Sequence, residues 1–151
     1  MPQNLDRDLL YLLHDAARLI RTKADQLART RGMTRAQWVI LSRLERQPGL
    51  SQNEMAAIVE VEPITIARLV DRLQAAGFVE RRADPKDRRI WRLHLTAAAE
   101  PMLAEIKTHK AALHEQITAG VDPATLDVMV EGLLKLKANL TSDGRAILRA
   151  V

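Results

Sequence analysis

Apolar residues recur at helical spacing along the N-terminal part of the chain. The first run extends from about Leu5 to about Thr30 and places aliphatic side chains at i, i+3, i+4 and i+7. This spacing predicts a long amphipathic helix, and Gly32 is expected to end it. A capping-box pattern at Thr34 opens the next predicted helix, which stops at Pro48. Two helices joined by a short turn are therefore expected before residue 50.

Two shorter helices with a tight turn between them are predicted next. The segment 51–54, Ser-Gln-Asn-Glu, forms a second capping box, and Pro63 suits the first turn of the helix after it. Gly77 can supply the left-handed cap that ends this fourth helix. Its apolar face consists of Ile66, Leu69, Val70 and Leu73. A short helix, a tight turn and an amphipathic helix with polar residues near its start form the helix-turn-helix pattern.

A β-hairpin is predicted from Phe78 to Thr96, because two short apolar segments flank a polar tip that contains proline. Trp91, Leu93 and Leu95 share one face by alternation and are expected to hold the strand against the domain. Thr96 is predicted to cap a helix of about twenty residues that Gly120 breaks. Asp122 and Pro123 then open a last helix, and the tail beyond Thr141 is either a short helix or a frayed end.

The predicted fold is mainly α with a small β-hairpin wing: a winged helix-turn-helix with N- and C-terminal dimerisation helices. We expect a single domain over residues 1–151, with a DNA-binding region at 34–96 and a dimerisation region at 1–32 and 97–151. The first helix and the last two carry wider apolar faces than a helix-turn-helix core requires, which favours a homodimer. The alternative is a monomer whose helices fold back on their own core.

Composition narrows the class of protein. Hydrophobic residues make up 47% of the chain but aromatic residues only 3%, which favours helices packed through an aliphatic core. The sequence pI of about 9.8 favours a polyanionic partner. Cysteine is absent, so disulfides and thiolate metal sites are excluded. No secretory signal or membrane-spanning run is recognisable, and a cytoplasmic location is the expectation.

The predicted hairpin concentrates positive charge. Six basic and three acidic residues lie between Glu80 and Arg92, so this stretch carries +3 of a total of +4. A compact cationic hairpin suits contact with phosphates and insertion of a guanidinium into a narrow minor groove. Asp87 and Arg89 at the tip are spaced so that the carboxylate can hold the guanidinium extended; a purely structural pair is the alternative. Arg88 is expected to meet a nearby phosphate.

The fourth helix has an outward face that can read DNA. Pro63, Ile64, Thr65 and Arg68 lie on or near its exposed N-terminal part when the apolar face points inward. Threonine and arginine can hydrogen-bond base edges, and proline and isoleucine can touch thymine methyl groups. Arg72 lies one turn further along and is expected to contact phosphate. A solvated arginine would be the ordinary interpretation of either position in isolation, but a DNA-reading role follows from the capped helix before them and the basic hairpin after them.

The sequence resembles the MarR family of winged-helix transcription regulators. The resemblance rests on the string Asp87-x-Arg89-x-x-x-Leu93-x-Leu95-Thr96, preceded by LVDRL at 69–73 and GFVER at 77–81, and extends over about residues 5–142. The segment 95–101, LTAAAEP, and the later pair at 119–120, AG, look like the SlyA branch. Two departures, Ala99 in place of the usual glycine and Pro101, affect the entry to a helix and not the DNA-contacting residues.

The resemblance implies a homodimer on double-stranded DNA at a palindromic operator, with the recognition helix in the major groove and the wing tip in the minor groove. It also implies release of DNA by a small aromatic carboxylate or phenolic effector, bound near Arg18, Thr34 and Trp38. The residues themselves favour plainer roles: Trp38 as a core residue, Thr34 as a helix cap and Arg18 as a solvated side chain.

Other classes of function have less support in the sequence. Phosphate-binding loops, nucleophile elbows and HExxH motifs are absent, so we do not expect an enzyme or a cofactor. His109 and His114 are five residues apart, which is poor spacing for a shared metal, and no metal site is predicted. The serious alternative is an architectural or anti-silencing DNA-binding protein that responds to no ligand. A winged-helix module for protein–protein contact is a third possibility, and it would bind with little salt dependence.

Overall fold

The computed structural model describes residues 5–142. This part of the chain contains six α-helices and one antiparallel two-stranded sheet. The helices are α1 (Leu9–Arg29), α2 (Arg35–Arg46), α3 (Gln52–Val59), α4 (Pro63–Ala75), α5 (Glu100–Thr118) and α6 (Pro123–Ser142). The strands are β1 (Val79–Ala83) and β2 (Trp91–Leu95). The mainly helical fold with a hairpin is therefore confirmed, and the predicted tail from residue 143 onward lies outside the described residues.

The first helix begins later than its apolar spacing predicts. Residues Leu5–Arg7 form a short 3₁₀ turn, and α1 starts at Leu9 because Asp8 caps it. One carboxylate oxygen of Asp8 accepts hydrogen bonds from the backbone N–H groups of Leu10, at 3.0 Å, and Tyr11, at 3.2 Å. Apolar periodicity continues through a 3₁₀ turn almost unchanged, whereas a capping side chain determines where the α-helix starts.

Both predicted capping boxes are present. Thr34 Oγ1 accepts from the N–H of Gln37 at 3.2 Å, and the Gln37 side chain accepts from the N–H of Thr34 at 2.9 Å. The box at Ser51 has the same reciprocal pair with Glu54. Pro63 stands at the start of α4 as predicted. These caps satisfy backbone donors at the helix starts and fix where the helix-turn-helix elements begin.

The hairpin pairs Val79 with Leu95 and Arg81 with Leu93. Val79 and Leu93 are buried, so the alternation placed the inward face of β2 correctly. Trp91 was expected on the same buried face, and this prediction is wrong, because Trp91 is 45% exposed. It lies opposite Ala83 at the distal end of the ladder, and only Leu93 on β2 is fully buried.

Thr96 does not cap the following helix as predicted. Its side chain makes no capping hydrogen bond, and its Oγ1 donates instead to the carbonyl of Gly77. A 3₁₀ turn at Ala97–Ala99 intervenes, and α5 begins at Glu100. Thr96 therefore links the two ends of the hairpin and does not cap the helix that follows. Asp122 does serve as a cap, because its carboxylate accepts from the N–H of Thr125 at 2.9 Å.

The chain divides into two compact units, Met1–His109 and Lys110–Val151. The first unit holds an aliphatic core around α2, α3, α4 and the hairpin, and its fully buried large side chains are Ile40, Leu41, Leu44, Met55, Ile66, Leu73, Leu93, Val70 and Val79. The second unit contains the end of α5 and all of α6, and the apolar side chains of α6 are largely exposed. Among the described residues, no helix is long and apolar enough to cross a membrane.

Candidate nucleic-acid interface

The N-terminal part of α4 presents a mixed apolar and basic surface. Pro63, Ile64, Thr65 and Arg68 are all exposed, and Ile64 keeps 64% of its surface accessible. The opposite side of the helix is locked into the core through four buried aliphatic residues. Arg72 is also exposed. In the part of the chain that the structure describes, the side chains of Arg68 and Arg72 make no hydrogen bond or ion pair, so both guanidiniums are available to a partner.

The hairpin tip, residues 84–90, is organised by Asp84. This residue is only 8% exposed, and its Oδ1 accepts from the backbone N–H groups of Lys86, at 2.7 Å, and Asp87, at 3.1 Å. Its Oδ2 accepts from Arg92 Nε at 2.6 Å. The hydrogen bond from Arg92, followed by those from the backbone, holds the pKa of Asp84 below its usual value. The tip is therefore a preformed turn around a charged carboxylate.

Asp87 holds Arg89 at the outer end of the tip. Arg89 Nε and Nη2 each lie 3.1 Å from a different oxygen of Asp87, and the backbone N–H of Arg89 donates to Oδ1 at 3.0 Å. The side-chain and then the backbone hydrogen bond from Arg89 lower the pKa of Asp87. The Arg89 side chain is nevertheless 91% exposed. The predicted pairing is present, and it restricts the guanidinium without burying it.

The positive charge of the hairpin is less available than its sequence suggests. Arg81 is bonded to α3 and α4, Arg82 pairs with Glu80, and Arg92 donates to Asp84 and, at 3.0 Å, to the carbonyl of Gly49. These three strand arginines hold the hairpin to itself and to the domain. The remaining cations, Lys86, Arg88 and Arg89, all belong to the tip. The positive charge that is not used to hold the strands in place is therefore concentrated at residues 84–90.

Sequence reasoning missed the role of Asp84. A signal for it was present, because Asp84 is followed by Pro85 and then by two residues whose N–H groups it binds. Aspartate before proline at the start of a turn commonly accepts from backbone donors two and three residues on. In the sequence, Asp84 was counted only as one of the negative charges of the hairpin, so its role in organising the turn was not predicted.

The three residues named for an effector site each have local partners of their own. Thr34 caps α2, and Arg18 pairs with Asp15 at 3.5 Å on the exposed side of α1. Trp38 is 6% exposed and stacks on His109 with ring centroids 5.6 Å apart, as expected of a core residue. Within residues 5–142 no hydrogen bond or ion pair joins Arg18 to Thr34 or Trp38.

A cleft between α1, α2 and the end of α3 offers cations that the sequence did not single out. It encloses about 540 Å³ and is lined by Arg21, Arg35, Val39, Ile58, Val59, Glu60 and Val61. The Arg21 and Arg35 side chains make no hydrogen bond or ion pair among the described residues. Glu60 ends α3 in a left-handed conformation with φ of 60°, at the turn of the helix-turn-helix. The cleft therefore joins two unpaired guanidiniums, an aliphatic wall and the turn before α4.

Comparison with known proteins identifies close structural relatives. The model of the MarR family matches residues 33–91. A solved transcriptional regulator is 32% identical, with 87% of this chain and 96% of that one covered and a TM-score of 0.77. The solved structure of MarR is 26% identical, with 94% and 97% covered and a TM-score of 0.81.

A third relative is described with a ligand. BpsR from Bordetella bronchiseptica is 23% identical, with 91% of this chain and 98% of that one covered and a TM-score of 0.75. The DNA binding of BpsR is regulated by 6-hydroxynicotinic acid. At this identity the likeness to BpsR shows the shared fold.

Proposed function

The chain belongs to the MarR family of DNA-binding transcription regulators, and from this premise we propose that it acts as a homodimer on a palindromic operator. In this proposal α4 enters the major groove, the hairpin tip enters the adjacent minor groove, and a small aromatic acid modulates binding. DNA binding is proposed to reside in residues 34–96, and dimerisation in residues 1–32 and 97–151. The narrower SlyA-like assignment stays a prediction.

The observation that carries the proposal is the Asp87–Arg89 pair at the tip. The Arg89 side chain is 91% exposed, yet its guanidinium is bonded to a carboxylate through two nitrogens and so loses little further freedom when a partner binds. Arginine side chains presented in this way are attracted to the strongly negative potential of a narrow minor groove. An ion pair that served only to stabilise the fold would not need an arginine side chain as exposed as that of Arg89.

Selection of bound sequences from random double-stranded DNA tests the proposal. The expected result is a two-fold symmetric site whose half-site centres lie about 34–36 Å apart, one helical turn of DNA. Affinity for this site should fall steeply with salt, because each neutralised phosphate releases condensed counterions. Recovery of no enriched sequence, together with salt-independent binding to other proteins, would favour a protein–protein module instead.

Arg68 is proposed to read a base edge. Replacing Arg68 with alanine should cost about 1–3 kcal/mol on the selected site and relax the preference at one position per half-site. Arg72→Ala is the matched control, because it removes the same charge one turn further along α4. Arg72→Ala should weaken specific and random DNA alike, as loss of a phosphate contact does. Binding titrations on both DNAs check this, and equal losses for Arg68→Ala on both would make it a phosphate contact.

Exposed apolar surface supports the proposed homodimer. In the first unit, α1 exposes Leu9, Leu10, Tyr11, Leu12, Leu19 and Ile20. In the second unit, α6 exposes Val128, Met129, Val130, Leu133, Leu134 and Leu140. Contiguous apolar residues on this scale are rarely left in water by a monomer. A second copy of the chain is the occupant that two-fold symmetry on a palindrome requires.

The cleft with Arg21 and Arg35 supports an effector of the aromatic carboxylate class. Two guanidiniums can bind a carboxylate, and the valines and isoleucine of the wall suit an aromatic ring. BpsR, which responds to 6-hydroxynicotinic acid, provides a precedent in the same fold. The residues that the family resemblance implies, Arg18, Thr34 and Trp38, remain a second location that the same measurements can test.

Salicylate is therefore expected to bind and to weaken operator binding. Calorimetry should detect salicylate binding below millimolar concentration, and titration of the operator should show a matching loss of affinity, as reciprocal linkage requires. Salicylamide, which lacks the charge, is the matched control ligand and should bind more weakly. Arg35→Met should reduce the salicylate response if the cleft is the site. Absence of binding to any aromatic carboxylate tested would favour the ligand-independent architectural function.

A further inference from the structure

Arg81 joins the hairpin to both helices of the helix-turn-helix. We propose that Arg81 is a positioning residue that fixes the angle between the hairpin and α4, so that the tip and the recognition helix reach one operator half-site together. This inference rests on the proposed function, in which those two elements enter neighbouring grooves. Arg81 itself is 18% exposed and is not expected to touch DNA.

The guanidinium of Arg81 uses all three nitrogens on separate partners. Its Nε donates to Gln52 Oε1 at 2.6 Å, and its Nη2 donates to the backbone carbonyl of Ala67 at 3.0 Å. Its Nη1 donates to Gln74 Oε1 at 2.8 Å and lies 2.7 Å from Asp71 Oδ1. One strand residue thereby connects to the first residue of α3 and to three positions of α4.

The three α4 positions form one stripe along the helix. Ala67, Asp71 and Gln74 follow the i, i+4, i+7 spacing, so they lie above one another on the same side. Arg68 follows Ala67 and lies about 100° around the helix from it, given 3.6 residues per turn. A side chain bonded along the whole stripe therefore sets both the tilt of α4 and the direction in which Arg68 points relative to the hairpin.

No other strand side chain replaces this connection. Among the described residues, Arg81 alone of the side chains in β1 and β2 hydrogen-bonds to α4. The second strand is anchored elsewhere: Leu93 exchanges backbone hydrogen bonds with Gly49 and Leu50, ahead of α3. Strand β2 is thus held by the segment before α3. The polar side-chain contacts between the hairpin and α4 are made by Arg81 of strand β1.

The register explains why arginine can occupy this inward position. Arg81 lies directly opposite the buried Leu93, where a strand normally carries an aliphatic side chain. Placing a cation there costs desolvation energy unless its donors are satisfied, and the planar fork of arginine can reach several acceptors at once. Lysine offers a single ammonium group and cannot span Gln52 and α4 together.

The test is a double-mutant cycle between Arg81 and Arg89 on the selected operator. Arg81→Met keeps the length of the side chain and removes the fork. We expect the protein to remain folded, because α4 keeps its four buried residues, but the preference for A·T-rich over G·C-rich flanks should fall at least about tenfold. In this background Arg89→Ala should have little further effect, whereas Arg68→Ala should keep most of its own.

Arg82→Met is the matched control for the lost charge. Arg82 is the next residue of β1 and pairs with Glu80 within the same strand. Its replacement should lower affinity through salt-dependent attraction and preserve the flank preference. If Arg81→Met proves unfolded by circular dichroism, Asp71→Ala combined with Gln74→Ala removes the α4 partners instead and should produce the same loss of flank preference.

The outcomes separate this inference from the proposed function. If Arg89→Ala reduces affinity equally with and without Arg81, the hairpin is positioned independently and the inference is overturned, while the DNA-binding wing stands. If Arg89→Ala has no effect in the otherwise unchanged protein, the proposed minor-groove contact fails and the inference fails with it. A much smaller Arg89→Ala effect in the Arg81→Met background, accompanied by an intact Arg68 effect, supports it.

Discussion

Replacing Arg89 with alanine is expected to weaken operator binding about ten- to a hundredfold per subunit, the range of one charge-assisted hydrogen bond. The loss should be greatest on sites with A·T-rich flanks, because a narrow minor groove concentrates negative potential where the guanidinium inserts. Arg89 is suited to this role because it is 91% exposed and already held in place by Asp87. Fluorescence or gel titrations on operators that differ only in their flanks measure both effects.

Two neighbouring substitutions serve as controls for Arg89. Asp87→Ala should act in the same direction but less, since the guanidinium remains and only its orientation is lost. Arg88→Ala should mainly reduce the dependence of affinity on salt, by roughly one unit of slope per lost phosphate contact per subunit. A change of flank preference with Arg88→Ala, and of salt slope alone with Arg89→Ala, would exchange their roles. No loss of affinity for either would mean that the hairpin is not a DNA-binding wing.

Removal of α6 is expected to abolish the homodimer. A chain that ends at Gly120 lacks the six exposed apolar residues of that helix, so sedimentation at micromolar concentration should show no dimer. Solubility should also fall, because the truncation is expected to strip the apolar cover from the helix before it. Leu133→Glu makes the same test in a full-length chain, because a charge buried in an apolar interface costs several kcal/mol, of order 3–5. Lys135→Glu, an exposed polar position of the same helix, is the control and should leave the dimer intact. A stable folded monomer of the unchanged chain would contradict the proposal.

Helix order and the inward face of α4 could be predicted because both follow from local physics. The stripe of Ile66, Leu69, Val70 and Leu73 is visible as a period of 3.6, and burial of that stripe leaves Arg68 outside. The capping boxes at Thr34 and Ser51 were equally local, since donor and acceptor are three residues apart. Features that need only neighbours within one or two turns were therefore recoverable from the sequence.

Features that depend on distant partners could not be predicted in the same way. Alternation placed Trp91 on the buried face with Leu93, but it says nothing about whether the domain covers that end of the strand, and Trp91 is exposed. Charge counting included Arg81 among the six basic residues of the hairpin, but it could not show that Arg81 is bonded to Gln52, 29 residues away. Thr96 was assigned to a helix cap because the competing carbonyl of Gly77 becomes a neighbour only when the hairpin closes. Each of these outcomes depends on how segments distant in sequence pack together.

The two tryptophans differ in exposure, so their fluorescence reports on two different parts of the chain. Trp91 stands in solvent beside the hairpin tip, whereas Trp38 is buried in a stack with His109 at the end of the first unit. An aqueous quencher reaches the first indole far more readily than the second, and a Trp38→Phe or Trp91→Phe chain isolates either emission. Events at the tip and events in the core can consequently be followed separately through intrinsic fluorescence, without attaching a dye.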